Sequence, residues 1–230
     1  MSDFDLAVII PAWNERENIE NLVPAVQKVV SGLGIRAEIL VIDGGSRDGT
    51  AEAATRLGAR ALPQQERGYG GALMAGFASA TAPYVVTMDA DLSHPPTFIA
   101  DLWARRDQAE LIIASRYVPG GKAVMSHFRR LLSRILNLVF RVALRLPARD
   151  LSSGFRLYRQ EVLKQLHLES RDFDVMEEIL VLVYRQGGRI LEVPFQYMPR
   201  LSGSSHAKLI RFGWAYLKTL ARMLRLRWGG

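Results

Sequence analysis

Two carboxylates, Asp89 and Asp91, stand one residue apart where an apolar segment ends, in MDADLSHPP (residues 88–96). Side chains alternate along an extended chain, so this spacing predicts that both carboxylates lie on the same side. Like charges held close together repel, and a hard divalent cation such as Mg²⁺ or Mn²⁺ removes that cost. The cation would also bridge to a nucleotide diphosphate. Taken alone, D-x-D is more typical of a solvated turn, so its position in the fold decides.

Apolar, strand-like segments alternate with helical segments around this pair. The predicted strands are LAVIIP, AEILVID, YVVTMDAD and AELIIASRY, and the segments between them have helical spacing. This alternation predicts an α/β fold with a mainly parallel sheet flanked by helices. In such sheets the ligand lies beyond the carboxyl ends of the strands.

Polar residues follow four of the predicted strands. They are Pro11 to Glu15, Asp43 to Ser46, the pair Asp89 and Asp91, and Ser115 with Arg116. Because polar residues follow four predicted strands, a ligand site at these strand ends is favoured over a solvated turn for the acid pair.

Three of these residues have two possible roles each. Trp13 suits either the core or the face of a nucleotide base. Glu15 suits either a first helical turn or a contact to base or ribose. Asp43 is well placed for a ribose or a base edge. No G-x-x-x-x-G-K-[ST] phosphate loop follows a strand.

The composition excludes some classes of protein and favours an anionic partner. The 230 residues include no cysteine, so disulfides and thiolate metal sites are excluded. The net charge is +7, yet residues 127–149 and 201–230 each contain six basic residues and no acid. This asymmetry indicates a membrane surface, nucleic acid or a phosphorylated substrate. No signal peptide and no membrane-spanning stretch is expected.

The second half contains candidate phosphate ligands and two amphipathic basic helices. Arginine suits phosphate because its donors form a fixed fork; the candidates are Arg116, Arg130, Arg134, Arg156 and Arg200. The predicted helices cover residues 126–146 and 207–228. For the last helix, a position in an anionic lipid interface, core packing and an oligomer interface all remain open.

Together these stretches resemble the family 2 inverting glycosyltransferases of GT-A type, and within them the polyprenyl-phosphate mannose and glucose synthases. The matching stretches run in the family's order from residue 8 to about residue 208: VIIPAWNERENI, ILVIDGGSRDGT, GYGGALMAGF, VVTMDADLSHPP, ASRYVPGG, DLSSGFRLYRQEVL and ILEVPFQYMPRLSGSS.

The resemblance implies a Rossmann-like GT-A fold and a role for each matching residue. Asp89 and Asp91 would hold Mg²⁺ or Mn²⁺, and Asp91, Arg116 and Arg200 would be catalytic. The nucleotide-sugar would contact Pro11, Trp13, Glu15, Asp43, Asp89, Ala90, Asp91, Arg200 and Lys208. The phosphate of the lipid acceptor would contact Arg116, Arg130, Ser133 and Arg134. Gly44, Ser93 and His206 depart from the family pattern.

The implied activity is transfer of a hexose, with mannose favoured, from GDP-mannose to a polyprenyl or dolichyl phosphate with inversion. The chain is expected to be one domain, with a nucleotide-sugar half (1–121), an acceptor half (122–206) and an amphipathic C-terminal helix (207–230). It would act at the cytoplasmic face of a membrane as a peripheral protein, with or without a separate membrane subunit, and without nucleic acid.

Other classes remain open at this point. A UDP-sugar such as UDP-glucose is an alternative donor. A hydroxyl acceptor would need a base, for which Asp172, Asp174 and Glu177 are the candidates. A nucleotidyltransferase shares paired acids, although PAWNERENI lacks its glycine-rich first loop. A non-catalytic binding module would explain the charge alone. Asp150 and Glu178 are expected to orient arginines.

Overall fold

The computed structural model describes residues 2–124, 127–197 and 212–229, with backbone only for residues 123, 127–129 and 212–215. The first half contains β1 (Leu6–Ala12), α1 (Arg16–Gly32), β2 (Ala37–Asp43), α2 (Thr50–Arg56), β3 (Arg60–Pro63), α3 (Tyr69–Ser79), β4 (Tyr84–Thr87), α4 (Ile99–Trp103) and β5 (Leu111–Ser115). The second half contains β6 (Lys122–Ala123), α5 (His127–Leu144), β7 (Arg156–Arg159), α6 (Gln160–Leu163), α7 (Val175–Arg185), β8 (Ile190–Pro194), β9 (Gln196–Tyr197) and α8 (Phe212–Trp228).

Seven strands form one sheet in the order β3–β2–β1–β4–β7–β5–β8. The neighbouring pairs β3–β2, β2–β1, β1–β4 and β5–β8 are all parallel. This confirms the predicted mainly parallel sheet. The edge strand β3 was not predicted, because its four half-buried or exposed residues lack an apolar run.

The strand β7 runs antiparallel between β4 and β5. Its register pairs Arg156, where β7 begins, with Thr87, where β4 ends. The residues that lead into β7, Gly154 among them, therefore lie at the same edge of the sheet as the residues that follow β4. This strand brings the second half of the chain to the carboxyl edge.

Helices cover both faces of the sheet. Along β1 the side chains alternate: Val8 and Ile10 join the core under α1, and Ala7 and Ile9 join the core under α3. Within α3, a Cβ at Gly76 would lie 2.5 Å from Cγ2 of Ile9. The small residues of α3 therefore allow this helix to lie directly on the sheet.

The two basic helices differ in what covers their apolar faces. On α8, Met223 is fully buried, and Tyr216 and Leu220 pack on the core, so the described part of α8 is a core-packing helix. On α5, five apolar side chains at helical spacing are 45% to 66% exposed. We call them the α5 stripe: Leu131, Ile135, Leu138, Val139 and Val142. No helix within the described ranges combines the length and apolarity that crossing a bilayer requires.

Candidate active site

The acid pair lies on a turn rather than on a strand. β4 ends at Thr87, four residues before the predicted end, and Asp89 and Asp91 follow it. Leu92 has a φ of 60°, and the Asp91 carboxylate accepts the Ser93 N–H at 3.0 Å. The argument from strand alternation is therefore wrong, because a turn sets the directions of both carboxylates. The pair nevertheless follows β4 at the carboxyl edge of the sheet, as predicted.

Two side chains hold Asp89, and neither was identified from the sequence. The Tyr69 hydroxyl donates to Oδ1 of Asp89 at 3.0 Å. The Asp89 N–H donates to Nδ1 of His94 at 3.0 Å, and Nε2 of His94 lies 3.8 Å from Oδ2 of Asp89. The His94 ring is buried and stacks on Phe155 at 4.9 Å.

Tyr69 contacts one residue from each half of the chain, Asp89 and Phe173. Burial, and then the nearby Asp89 carboxylate, raise the pKa of Tyr69 well above 10, so the hydroxyl remains a donor. Its ring stacks on Phe173 with centroids 4.8 Å apart. The motif GYGG indicated only a small-residue helix. The contact between its Tyr69 and the Asp89 carboxylate arises only in the tertiary structure.

The residues at the acid pair fit a hard divalent cation. The Asp89 side chain is 31% exposed, and Asp91 is 8% exposed. Ser93 Oγ is buried beside Asp91 and has no hydrogen-bond partner in the described part of the chain. No group of three or more acids or histidines suited to a metal occurs among the described residues. Water and a diphosphate would complete the shell, which is how Mg²⁺ is commonly bound.

The loops that follow β1 and β2 are joined through Asn14. Its N–H donates to the Ser46 hydroxyl at 2.8 Å, and its side-chain oxygen accepts the Arg47 N–H at 2.9 Å. Asn14 adopts a φ of 54°, a left-handed conformation that asparagine tolerates. These bonds bring the Trp13 and Asp43 loops together at one edge.

The four residues expected to line the nucleotide all lie on this edge. Trp13 is 56% exposed. Both Asp43 oxygens accept the Ser46 N–H at 3.2 Å. The Glu15 carboxylate accepts from Asn18 at 2.5 Å, and Pro11 lies within β1.

Gly44, which departs from the family pattern, is closely surrounded. A Cβ at this position would lie 3.1 Å from Oε1 of Gln64 and 3.4 Å from Cβ of Trp13. A second acid after Asp43 would therefore require Gln64 to move.

Arg116, Arg130 and Arg134 line one cavity of about 400 Å³. Three segments of the chain form its wall: the residues after β5, the segment with Lys122 and Val124, and the helix α5. Ser133 lies next to it and accepts a hydrogen bond from the Tyr117 hydroxyl at 2.7 Å. The structure thus brings together the residues expected at the acceptor phosphate.

Asp150 orients Arg116, as expected. Its two oxygens accept from Nε and Nη2 of Arg116 at 2.8 and 2.7 Å, and Oδ2 also accepts the Arg116 N–H at 2.9 Å. Burial by itself would raise the pKa of Asp150, but the adjacent Arg116 holds it below its usual value. Asp150 therefore remains ionised and keeps the guanidinium in place.

Other residues inferred from the sequence have different places. Arg156 is fully buried and donates to the carbonyls of Leu151, Ser153 and Met176, so the prediction that it binds phosphate is wrong. Glu178 accepts the N–H groups of residues 169 and 170 rather than orienting an arginine. Ala90 is buried between the two acids. Arg200, His206 and Lys208 lie outside the described residues.

The acids considered as a possible base differ in environment. Asp174 is paired with Arg222 at 2.7 Å. Asp172 lies against Gly68, where a Cβ would be 2.6 Å from its Oδ1. Burial raises the pKa of Glu177 to about 7. A carboxylate with this pKa suits proton transfer near neutrality.

The sheet is mainly parallel, loops converge at its carboxyl edge, and an acid pair follows the central strand β4. This is the architecture of a GT-A glycosyltransferase. Solved structures of glucosyl-3-phosphoglycerate synthase from Mycobacterium tuberculosis share this fold. The complex with Mn²⁺, UDP-glucose and phosphoglyceric acid aligns with a TM-score of 0.78 at 21% identity, over 96% of this chain and 80% of that chain. The complex with Mg²⁺ and UDP aligns with a TM-score of 0.75 at 22% identity, over 98% and 80%.

The family model described as glycosyl transferase family 2 matches residues 7–167, and the chain belongs to this family. It is 35% identical to dolichol-phosphate mannosyltransferase of Pyrococcus furiosus, over 98% of this chain and 64% of that protein. It is 36% identical to polyprenol monophosphomannose synthase of Mycolicibacterium smegmatis, over 86% and 79%. It is 32% identical to undecaprenyl-phosphate mannosyltransferase of Micrococcus luteus, over 96% and 95%. The chain thus spans about two thirds of the length of the Pyrococcus protein.

Proposed function

We propose that this protein transfers mannose from GDP-mannose to a polyprenyl phosphate with inversion at the anomeric carbon. The observation that carries the proposal is the cavity lined by Arg116, Arg130 and Arg134, at one end of the exposed α5 stripe. A cationic cavity beside an apolar helix face matches a phosphate joined to a hydrocarbon chain. The names of the three relatives all refer to mannose and to a polyprenyl-type lipid phosphate, which supports the same class of acceptor.

The arginine cavity would position the acceptor phosphate. Asp150 already fixes the Arg116 guanidinium, so this donor loses little freedom when it binds phosphate. Arg130 and Arg134 lie one helical turn apart on α5 and reach the same cavity. Ser133 and Tyr117 form its polar border.

The reaction needs no general base at the acceptor, because a phosphate monoester is ionised near neutral pH. One phosphate oxygen forms a bond to the anomeric carbon while the bond from that carbon to the diphosphate breaks, and the nucleoside diphosphate leaves with the electron pair. Mg²⁺ or Mn²⁺ held by Asp89 and Asp91 would neutralise charge on that diphosphate. Trp13 and Asp43 would hold the base and ribose, and Arg200 and Lys208 would contact the donor phosphates.

The α5 stripe would place the enzyme on the cytoplasmic face of the membrane that contains its acceptor. Its residues are exposed, while arginines on the same helix face the phosphate cavity. Apolar side chains beside cationic ones suit the boundary between lipid headgroups and acyl chains. This attachment is peripheral, and a separate membrane subunit would add to it.

The test is transfer by the purified protein to a polyprenyl phosphate, with GDP-mannose, UDP-glucose and UDP-N-acetylglucosamine compared under identical conditions. We expect lipid-linked mannose from GDP-mannose with Mg²⁺ or Mn²⁺, and none after chelation. Donor hydrolysis without acceptor is the control for unproductive cleavage. The proposal fails if no donor yields a lipid-linked sugar.

A hydroxyl acceptor is the second candidate, because burial raises the pKa of Glu177 to about 7, a value that suits a general base. The two candidates respond differently to substitution. Activity that persists in Arg130→Gln/Arg134→Gln but disappears in Glu177→Gln indicates a hydroxyl acceptor and a carboxylate base. The opposite pattern indicates a phosphate acceptor.

A further inference from the structure

We propose that Tyr69 is a positioning residue for the divalent cation: its hydroxyl fixes the Asp89 carboxylate, and Phe173 fixes its ring. This inference rests on the proposed role of Asp89 as a cation ligand. It adds to that role a residue of α3 and a loop of the second half.

The space around the Tyr69 hydroxyl is adapted to this bond. Tyr69 donates to Oδ1 of Asp89 at 3.0 Å. Gly154, in the segment that leads into β7, lies directly against the pair: a Cβ there would be 2.6 Å from the Tyr69 hydroxyl and 3.2 Å from Oδ1 of Asp89. Any larger residue at position 154 would displace one of the two bonded atoms.

Residues 170–173 hold the Tyr69 ring and the start of α3. The N–H groups of Gly70 and Gly71 donate to the Arg171 carbonyl at 2.7 and 3.2 Å, which attaches the start of α3 to this loop. Phe173 stacks on the Tyr69 ring with an angle of 18° between the planes, while its own side chain is 70% exposed. Backbone bonds and ring stacking thus both limit the movement of Tyr69.

Asp89 needs such support because its side chain is partly exposed and its turn is not part of the sheet. An unsupported carboxylate there would rotate among several orientations, and ordering it would cost binding free energy. Tyr69 engages one oxygen, and His94 holds the backbone N–H of the same residue. Partners of metal ligands contribute roughly 10- to 100-fold to metal affinity or activity.

The chain contains a matched control for a tyrosine–aspartate bond without this role. Tyr84 donates to Asp107 at 2.5 Å. Tyr84 is the first residue of β4, whereas Asp89 follows the other end of that strand. Tyr84→Phe therefore removes the same type of bond away from the acid pair.

The experiment measures Mn²⁺ binding by electron paramagnetic resonance in the presence of GDP or UDP. It compares the unaltered protein with Tyr69→Phe, Gly154→Ala, Tyr84→Phe and Asp89→Asn, after thermal melting has shown which variants fold. We expect Tyr69→Phe to weaken Mn²⁺ binding about tenfold, and Tyr84→Phe to leave it unchanged. Gly154→Ala disturbs the same hydroxyl without altering Tyr69, so it should weaken binding too and can replace Tyr69→Phe if that variant does not fold.

The outcomes separate this inference from the proposed function. If Asp89→Asn weakens Mn²⁺ binding but neither Tyr69→Phe nor Gly154→Ala does, the positioning role is overturned and the cation role stands. If the unaltered protein binds no Mn²⁺, or Asp89→Asn binds it equally well, the cation role fails and the inference fails with it. Equal weakening in Tyr69→Phe and Tyr84→Phe also overturns the inference, because the effect would then be general.

Discussion

Arg116, which lines the arginine cavity, forms a buried two-point ion pair with Asp150, with N–O distances of 2.8 and 2.7 Å. Asp150 is fully buried, and the Arg116 side chain is 12% exposed. The N–H groups of residues 149 and 150 donate to Glu192, which holds the Asp150 loop against β8. The pair therefore connects the sheet to the residues that would meet the acceptor phosphate.

We expect Asp150→Asn to lower the free energy of unfolding by about 3 kcal/mol, because it leaves a buried arginine without its counter-charge. Urea denaturation measures this change. Glu20→Gln, which removes an exposed pair with Arg16 and Arg56, is the control and should cost less than about 1 kcal/mol. Similar losses in both variants would show that the Arg116–Asp150 pair adds nothing to stability.

We expect Glu177→Gln to stabilise the protein at pH 8 and to have almost no effect at pH 4. The pKa of Glu177 is about 7 in the folded protein and 4.5 as the ordinary value, so ionisation opposes folding as pH rises through this window. The gain at pH 8 should be about 3 kcal/mol. Thermal melts across pH 4 to 9 measure it.

Glu178→Gln is the matched comparison for that series. The Glu178 carboxylate accepts two backbone N–H groups, so the substitution should destabilise the protein. A pH-independent difference between Glu177→Gln and the unaltered protein would contradict the raised pKa.

We expect Arg130→Gln/Arg134→Gln to raise the KM for polyprenyl phosphate at least about tenfold, because charge-assisted bonds to phosphate are lost. Donor binding should change little, since these residues lie in the acceptor cavity. Steady-state kinetics with each substrate varied in turn measures both. Arg141→Gln, on the same helix but away from the cavity, is the control. An unchanged KM in the double variant would exclude the cavity as the phosphate site.

We expect Leu138→Asp/Val142→Asp to reduce binding to vesicles with anionic lipids at least about tenfold, because it places charge on the exposed α5 stripe. Co-sedimentation with vesicles measures binding, and melting confirms that stability is retained. Leu217→Asp, at an exposed position of α8, should have a smaller effect. The reverse order would assign the membrane contact to α8.

Many of the residues at the carboxyl edge of the sheet were predictable, because the local pattern of apolar and polar residues determines where each strand ends. Parallel strands bring their carboxyl ends to one edge, so alternating apolar and helical segments were sufficient to group Trp13, Asp43 and Asp89. The motifs also identified the family. The direction of β7 was not predictable, because four residues pair in either direction and only the neighbouring strands select one.

The amino-acid sequence by itself determined the order of strands and helices, the acid pair at a strand end and the excess of arginine in the second half. Tertiary structure decided where the arginines lie: Arg156 is enclosed by carbonyls, whereas Arg116, Arg130 and Arg134 line one cavity. It also decided that α5 rather than the described part of α8 exposes its apolar face, and that Tyr69 meets Asp89. Burial and contacts between distant segments depend on how the elements pack, and the spacing of residues along the chain does not contain that information.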